Sequence, residues 1–225
     1  DGYHVSTVHR VFARAMAKRE AMGDKGEMRK TEAARITSEV ETGVYDLGGG
    51  HMLLWAQRGN PEVAPLAEKL DWLNETYDEN KVDWMLRKGR NLFLFPNIFL
   101  MDQSSTQIRV LIPHAVDRTE VRTYCIAPKG ESLKARAARL RKFEDFFMVT
   151  GMATPDDMAA LEDVQRGSNG RLAPWNEMER GWSKAIAGAD EATASLGDNP
   201  VSSNPDWDSE TLFHGFYREW ARVMR

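Results

Sequence analysis

The sequence predicts an α+β fold, on two observations. Residues 92–127 hold three stretches of strand-like composition in close succession, joined by linkers too short for a crossover helix, which is the pattern of an antiparallel meander. On either side, residues 61–88 and 130–147 repeat apolar side chains at the three- to four-residue spacing of a helix face. With 225 residues and 42% hydrophobic content, the chain can bury a sizeable core, and residues 1–225 read as a single domain.

Composition narrows the class of function. A formal charge of -4 argues against nucleic-acid binding, which favours a basic face. No apolar run approaches a membrane span and no signal peptide is visible, so no membrane partner is expected. Cys125 is the only cysteine, which excludes an internal disulfide and points to a reducing cytoplasm.

The elements follow in order. Residues 5–30 are rich in helix formers and predict a helix that Gly23 and Gly26 end. Residues 40–47 and 51–57 predict a hairpin about Gly48-Gly49-Gly50. The three glycines read as a turn rather than a phosphate cradle, because no Gly-Lys-Ser/Thr follows. His51 reads as a hydrogen-bonded strand-end histidine. Pro61 and Pro65 open a helical region to residue 88, with Leu66, Leu70, Leu73, Tyr77, Trp84 and Met85 as its apolar side. Strands are expected at 92–101, 107–112 and 120–127, with Pro96 marking an edge or a bulge in the first.

Ser132 then starts a helix whose Leu133, Ala137, Leu140, Phe143 and Phe147 form a stripe for packing on the sheet. Its basic residues, Lys134, Arg136, Arg139, Arg141 and Lys142, predict a solvated face, with an acidic partner as the alternative. Thr154-Pro155-Asp156-Asp157 has the form of a helix start, Thr154 as N-cap and two aspartates facing the dipole. Residues 187–208 predict loops of poor local order, and residues 210–224 a last helix docking through Leu212, Phe213, Phe216, Trp220 and Val223, with His214 structural.

The chemistry concentrates at the front. Asp1-Gly2-Tyr3-His4-Val5-Ser6-Thr7-Val8-His9 brings together a carboxylate and two of the chain's five histidines. Two imidazoles and a carboxylate form the facial set that leaves positions open on non-haem iron(II). Residues five apart on an ideal helix point about 140° away from each other, so His4 and His9 reach one metal only if His4 sits at or before the first helical turn. Gly2 and the mediocre helix formers Val5 to Val8 allow that. Spacing alone also fits two structural histidines at a helix start.

Several motifs in order carry a resemblance. Asp1-x-x-His4-x-x-x-x-His9 resembles the iron motif of the large (alpha) subunit of Rieske-type aromatic-ring-hydroxylating dioxygenases. Phe95-Pro96-Asn97-Ile98-Phe99-Leu100-Met101-Asp102-Gln103, Tyr124-Cys125-Ile126-Ala127-Pro128-Lys129-Gly130-Glu131 and Gly151-Met152-Ala153-Thr154-Pro155-Asp156-Asp157 are similar to its benzoate, toluate and anthranilate branch, with weaker agreement after about Arg180.

That resemblance implies a helix-grip (START/Bet v1-like) fold, an antiparallel sheet over a long helix. It implies Fe(2+) held by His4, His9 and Asp157, with Asp1 bridging His4 to a cluster-ligating histidine of a neighbouring subunit. It implies O2 and an aromatic carboxylate as substrates, a cis-diol product, and Asn97 and Phe147 near the ring. It further implies a [2Fe-2S] cluster, an NADH-dependent reductase with or without a ferredoxin, a small beta subunit, and a homotrimer or α3β3 assembly. A Rieske cluster needs two cysteines, and this chain has one. The cluster domain is therefore expected upstream, in a longer subunit of which this chain, starting at Asp1 rather than Met, is the catalytic part. Arg10 departs from the family, whose close members carry an aromatic residue there; Arg10 reads as a surface residue or as a partner for an aromatic carboxylate. A zinc hydrolase on the same ligands, a non-catalytic helix-grip binding module and a same-family mono-oxygenase or demethylase are the competing readings.

Overall fold

The computed structural model describes residues 2–11, 14, 18, 40–58, 61–103, 105–172 and 175–225. Its first element is α1 (His4–Thr7), and the rest of the helix expected over 5–30 lies largely outside the described residues. The hairpin forms as expected from β1 (Thr42–Gly48) and β2 (His51–Gln57). Gly48, Gly49 and Gly50 all take positive φ, +80°, +58° and +78°, a conformation that costs glycine little and other residues much. His51 accepts a hydrogen bond at Nδ1 from the amide of Phe95, 3.0 Å.

The helical region expected over 61–88 is broken. Two 3-10 turns, Pro61–Val63 and Ala67–Lys69, precede α2 (Leu70–Thr76) and α3 (Glu79–Arg87). The break falls at Asp78, whose backbone is extended and whose carboxylate accepts from the Lys81 amide at 3.0 Å, capping α3. Lys88 is already strand.

The single strand expected over 92–101 is two, β3 (Lys88–Leu94) and β4 (Ile98–Asp102), folded back on each other about a cis Phe95-Pro96 peptide. Pro96 therefore sits in a turn between central strands rather than at an edge or bulge; proline has no N–H to give to a ladder. β5 (Thr106–Ala115) and β6 (Arg118–Cys125) complete the meander. Next come α4 (Leu133–Phe147), capped by Ser132 Oγ on the Ala135 amide at 3.1 Å, and α5 (Thr154–Gly167).

The stretch 187–208, expected to be poorly ordered, instead extends the sheet. β7 (Ile186–Ala187), α6 (Glu191–Ala194) and β8 (Ser202–Asn204) give an eight-stranded antiparallel sheet in the order β6-β5-β4-β3-β2-β1-β8-β7. Its small polar residues are buried because each finds a partner: Asn204 Nδ2 donates to Gly181 O at 2.8 Å and Ser203 Oγ to Gly188 O at 2.5 Å. Composition that reads as loop can still pack when its hydrogen bonds are met.

The last helix, α7 (Leu212–Val223), lies across β1 and β2. Leu212 joins Val44 and Leu54 in one core cluster, and Phe216 stacks 5.6 Å from Phe93. Gly215 is required where α7 crosses β1, since a Cβ there would collide with the Asp46 carboxylate. Only the first half of α7 docks; Trp220 and Val223 are half exposed. The opposite face of the sheet packs Tyr45 and Trp55 against Trp84 of α3.

α4 differs from its expectation. Leu133 is 87% exposed and Ala137 is exposed, while Leu140, Phe143 and Phe147 are half-buried. The buried residue is Arg139 of the expected solvated face, which donates to Glu131 through Nε at 2.9 Å and Nη2 at 2.5 Å. A bidentate pair makes that burial tolerable.

Candidate metal centre

The front segment is fixed by Gly2, whose amide donates to Trp207 O at 3.1 Å and whose missing Cβ leaves room for the Trp207 ring and the Asp208 carboxylate. From there α1 runs for one turn only, with the hydroxyls of Ser6 and Thr7 donating back to Tyr3 O. His4 is its first residue, as the spacing requires for two imidazoles to meet. The chain turns at Val8 and His9, and the rings come together with centroids 5.0 Å apart and planes at 72°.

The carboxylate arrives on α5. Ala153 is the N-cap and Thr154 the first helical residue, one position earlier than expected; Thr154 Oγ1 donates instead to Phe147 O at 2.9 Å, tying α5 to the end of α4. Asp156 and Asp157 occupy the first turn. Asp157 Oδ1 stands 3.0 Å from His9 Nε2 and 3.8 Å from His4 Nε2, and one donor atom from each of the three residues lies within 4.8 Å of the others.

This donor set fits a divalent cation. Ligand bonds of about 2.0–2.2 Å meeting at right angles set donor atoms about 3 Å apart, close to the His9–Asp157 separation. His9 is 3% exposed, and its Nδ1 is buried without a hydrogen bond, 3.6 Å from Asp156 Oδ2. Asp156, expected only to face the helix dipole, is thus also placed to orient the imidazole. Burial works to lower the His9 pKa, yet hydrogen bonding to Asp157, its charge and then Asp156 outweigh it and raise it. The two carboxylates beside the ring give it a negative surrounding that favours a cation.

The other expected site residues are distributed as follows. Phe147 sits beside Phe146 (4.7 Å between centroids), and Phe146 lies 6.3 Å from the His9 ring. Asn97 donates its Nδ2 to Leu111 O at 2.9 Å and accepts at its own carbonyl from the Leu111 amide, so its side chain braces the turn against β5. Asp1 lies outside the described residues, and Arg10 is exposed. One residue that sequence reasoning missed is Arg109 on β5, whose guanidinium stacks 5.1 Å from the Phe147 ring. Its signal was a charged side chain in the alternating run Gln107-Ile108-Arg109-Val110-Leu111 of a central strand.

Compared with known proteins, residues 1–225 match the family model described as the ring hydroxylating alpha subunit (catalytic domain). The chain belongs to this family. It falls in the branch that contains the toluate 1,2-dioxygenase subunit alpha of Pseudomonas putida, 40% identical over 224 residues, and the 2-halobenzoate 1,2-dioxygenase large subunit of Burkholderia cepacia, 39% identical over 224 residues. The anthranilate 1,2-dioxygenase large subunit of Acinetobacter baylyi is 35% identical over 232 residues. All of this chain is covered in each case, but only 48–49% of the relative, so the chain spans about half the length of the curated relatives it matches. Among solved structures, naphthalene 1,2-dioxygenase from Rhodococcus sp. bound to indole superposes with a TM-score of 0.72 at 16% identity, covering 100% of this chain and 51% of that one. Another naphthalene 1,2-dioxygenase with indole bound gives 0.70 at 19%, covering 98% and 48%. Those likenesses establish the fold, and the helix-grip expectation holds.

Proposed function

We propose that this chain is the catalytic domain of a longer subunit that adds both atoms of O2 to an aromatic carboxylate of the benzoate or anthranilate kind. The product is a cis-diol, and two electrons from NADH and two protons balance the reaction. The observation that carries the reading is the convergence of His4, His9 and Asp157, from segments about 150 residues apart in the chain, within 4.8 Å. Iron(II) held by these three would supply the redox chemistry that lets triplet O2 react with a singlet ring.

The chain's own residues do the rest. His4 and His9 serve as neutral imidazoles and Asp157 as a carboxylate, one negative charge against a divalent ion. Asp156 steadies His9 through Nδ1, and Phe146 lies against the imidazole with Phe147 packed behind it, an apolar surface on that side of the ring. Phe147 and Asn97 border the ring. Asp1 would bridge His4 to a cluster-ligating histidine of a neighbouring subunit, a short route for electrons that a [2Fe-2S] cluster in a Rieske domain, fed by an NADH-dependent reductase with or without a ferredoxin, would supply. A small beta subunit, a trimer of alpha subunits or α3β3 assembly and a cytoplasmic setting complete the proposal; among the described residues no helix is long and apolar enough to cross a membrane.

The test begins with metal content after anaerobic loading with Fe(II). Wild type should hold about one iron per chain, and His4→Ala and Asp157→Ala close to none. Joined to the cluster domain and supplied with reductase and NADH, the protein should then take up O2 with benzoate, anthranilate or halobenzoates and form a diol. Iron retained by both variants, or turnover that persists without O2, would remove the proposal.

A further inference from the structure

We propose that Arg109 binds the carboxylate of the aromatic substrate, as an anchor on the face of the sheet that looks toward the metal centre. The inference rests on the reading of this chain as an oxygenase of aromatic acids and adds the residue that would make it select acids.

Position comes first. Side chains alternate along β5, so Gln107, Arg109 and Leu111 share one face. Across the sheet Arg109 pairs with Phe99, Phe99 with Phe93, and Phe93 with Met52. Met52 and Phe93 pack against α7, so Arg109 belongs to the face covered by the grip helix.

Its surroundings hold it still. The guanidinium is half-buried; Nε donates to Gln107 Oε1 at 3.1 Å, and fully buried Gln107 in turn donates Nε2 to Ser105 Oγ at 3.1 Å. Phe147 covers one side at 5.1 Å. Among the described residues, no hydrogen bond or ion pair engages Nη1 or Nη2. Arg109 and His9 stand at the two ends of a chain of ring contacts through Phe147 and Phe146. An aromatic acid likewise has its carboxylate at one end and its reactive ring at the other.

The charge balance asks for an anion. Burial lowers the Arg109 pKa, and the Asp157 charge is what works against that. Once Asp157 is committed to a divalent cation, with Asp156 engaged at His9, the Asp157 charge no longer offsets that of Arg109. A half-buried guanidinium without a counter-charge is costly, and a planar carboxylate matches its fork with two parallel hydrogen bonds.

Binding of benzoate and of its neutral isostere benzamide to the Fe(II)-loaded protein under anaerobic conditions tests this by calorimetry. Arg109→Gln should weaken benzoate about ten- to a hundredfold while leaving benzamide affinity and iron content unchanged. Should Arg109→Gln fail to fold, Arg109→Lys keeps the charge without the fork, and benzoate alone should weaken. Unchanged benzoate affinity overturns the anchor and leaves the proposed function standing. Loss of iron from Arg109→Gln also overturns it, by assigning Arg109 to the support of Asp157. Wild-type protein that prefers benzamide to benzoate removes the aromatic-acid reading itself, and the anchor with it.

Discussion

His9 is buried with Nε2 on Asp157 and Nδ1 facing Asp156, so each ring nitrogen has its own carboxylate. If Asp157 holds the cation and Asp156 only steadies the imidazole, the two aspartates differ in what their loss does. Asp156→Asn is expected to weaken Fe(II) or Co(II) binding about ten- to a hundredfold without abolishing it, as measured by competition with a chelator. Equal loss from Asp156→Asn and Asp157→Asn would refute that division. A second residue-scale case is Glu131, which hydrogen bonding to Arg139 holds below the ordinary carboxylate range. A depressed folded pKa contributes stability that is complete above the unfolded value and disappears as pH falls through the folded one. Glu131→Gln should therefore lower Tm at pH 7, and the gap to wild type should close as the solution is acidified below about pH 4. A gap that does not change with pH would contradict the assignment.

At the scale of elements, α7 depends on one close approach. Asp46 of β1 is 3% exposed, accepts from the Gly48 amide at 2.9 Å and from Arg218 Nη2 at 2.5 Å, and lies directly under Gly215. Gly215→Ala puts a methyl group against that carboxylate, which cannot retreat without losing Arg218. The expected cost is about 1–3 kcal/mol by urea unfolding, with iron binding retained because the candidate ligands lie on α1, the turn after it and α5. Much of the element scale was legible beforehand. Ser132 capped α4 as its position predicts, and the glycine turn joined β1 to β2, because caps and turns are settled by a few neighbouring residues. The division of β3 from β4 and the strand character of β8 were not, since apolar residues on both sides of Pro96 read as one strand and Ser202-Ser203-Asn204 as loop.

For the whole molecule, the candidate centre joins segments that lie at the front of the chain and beyond the meander. A cation bound there would be held only by the folded state, so binding and stability are linked. Free Fe(II) or Co(II) at a hundredfold excess over Kd should stabilise the protein by about 2.7 kcal/mol, seen as a rise in Tm by calorimetry and absent in His9→Ala. An equal rise in wild type and variant would mean that the metal acts elsewhere. The same sheet also ties its second face together through Tyr45, which is fully buried, accepts from Trp55 Nε1 at 2.8 Å and donates to Asp190 at 3.0 Å. Asp190 caps α6 through the Thr193 amide at 2.9 Å.

From residue order alone came the α+β class, the meander, the Ser132 cap and, through motif resemblance, the choice of His4, His9 and Asp157 as candidate ligands. Each depends on local patterns of polarity or on residue types at fixed intervals. The tertiary structure decided that the two imidazoles meet, because α1 stops after one turn instead of carrying His9 to the far side of a longer helix. It also decided that Asp156 faces His9, that Arg139 is buried, and that Arg109 shares a face with the grip helix. Such juxtapositions follow from how strands register and helices dock, and no local pattern in a sequence records which distant groups will share one desolvated space.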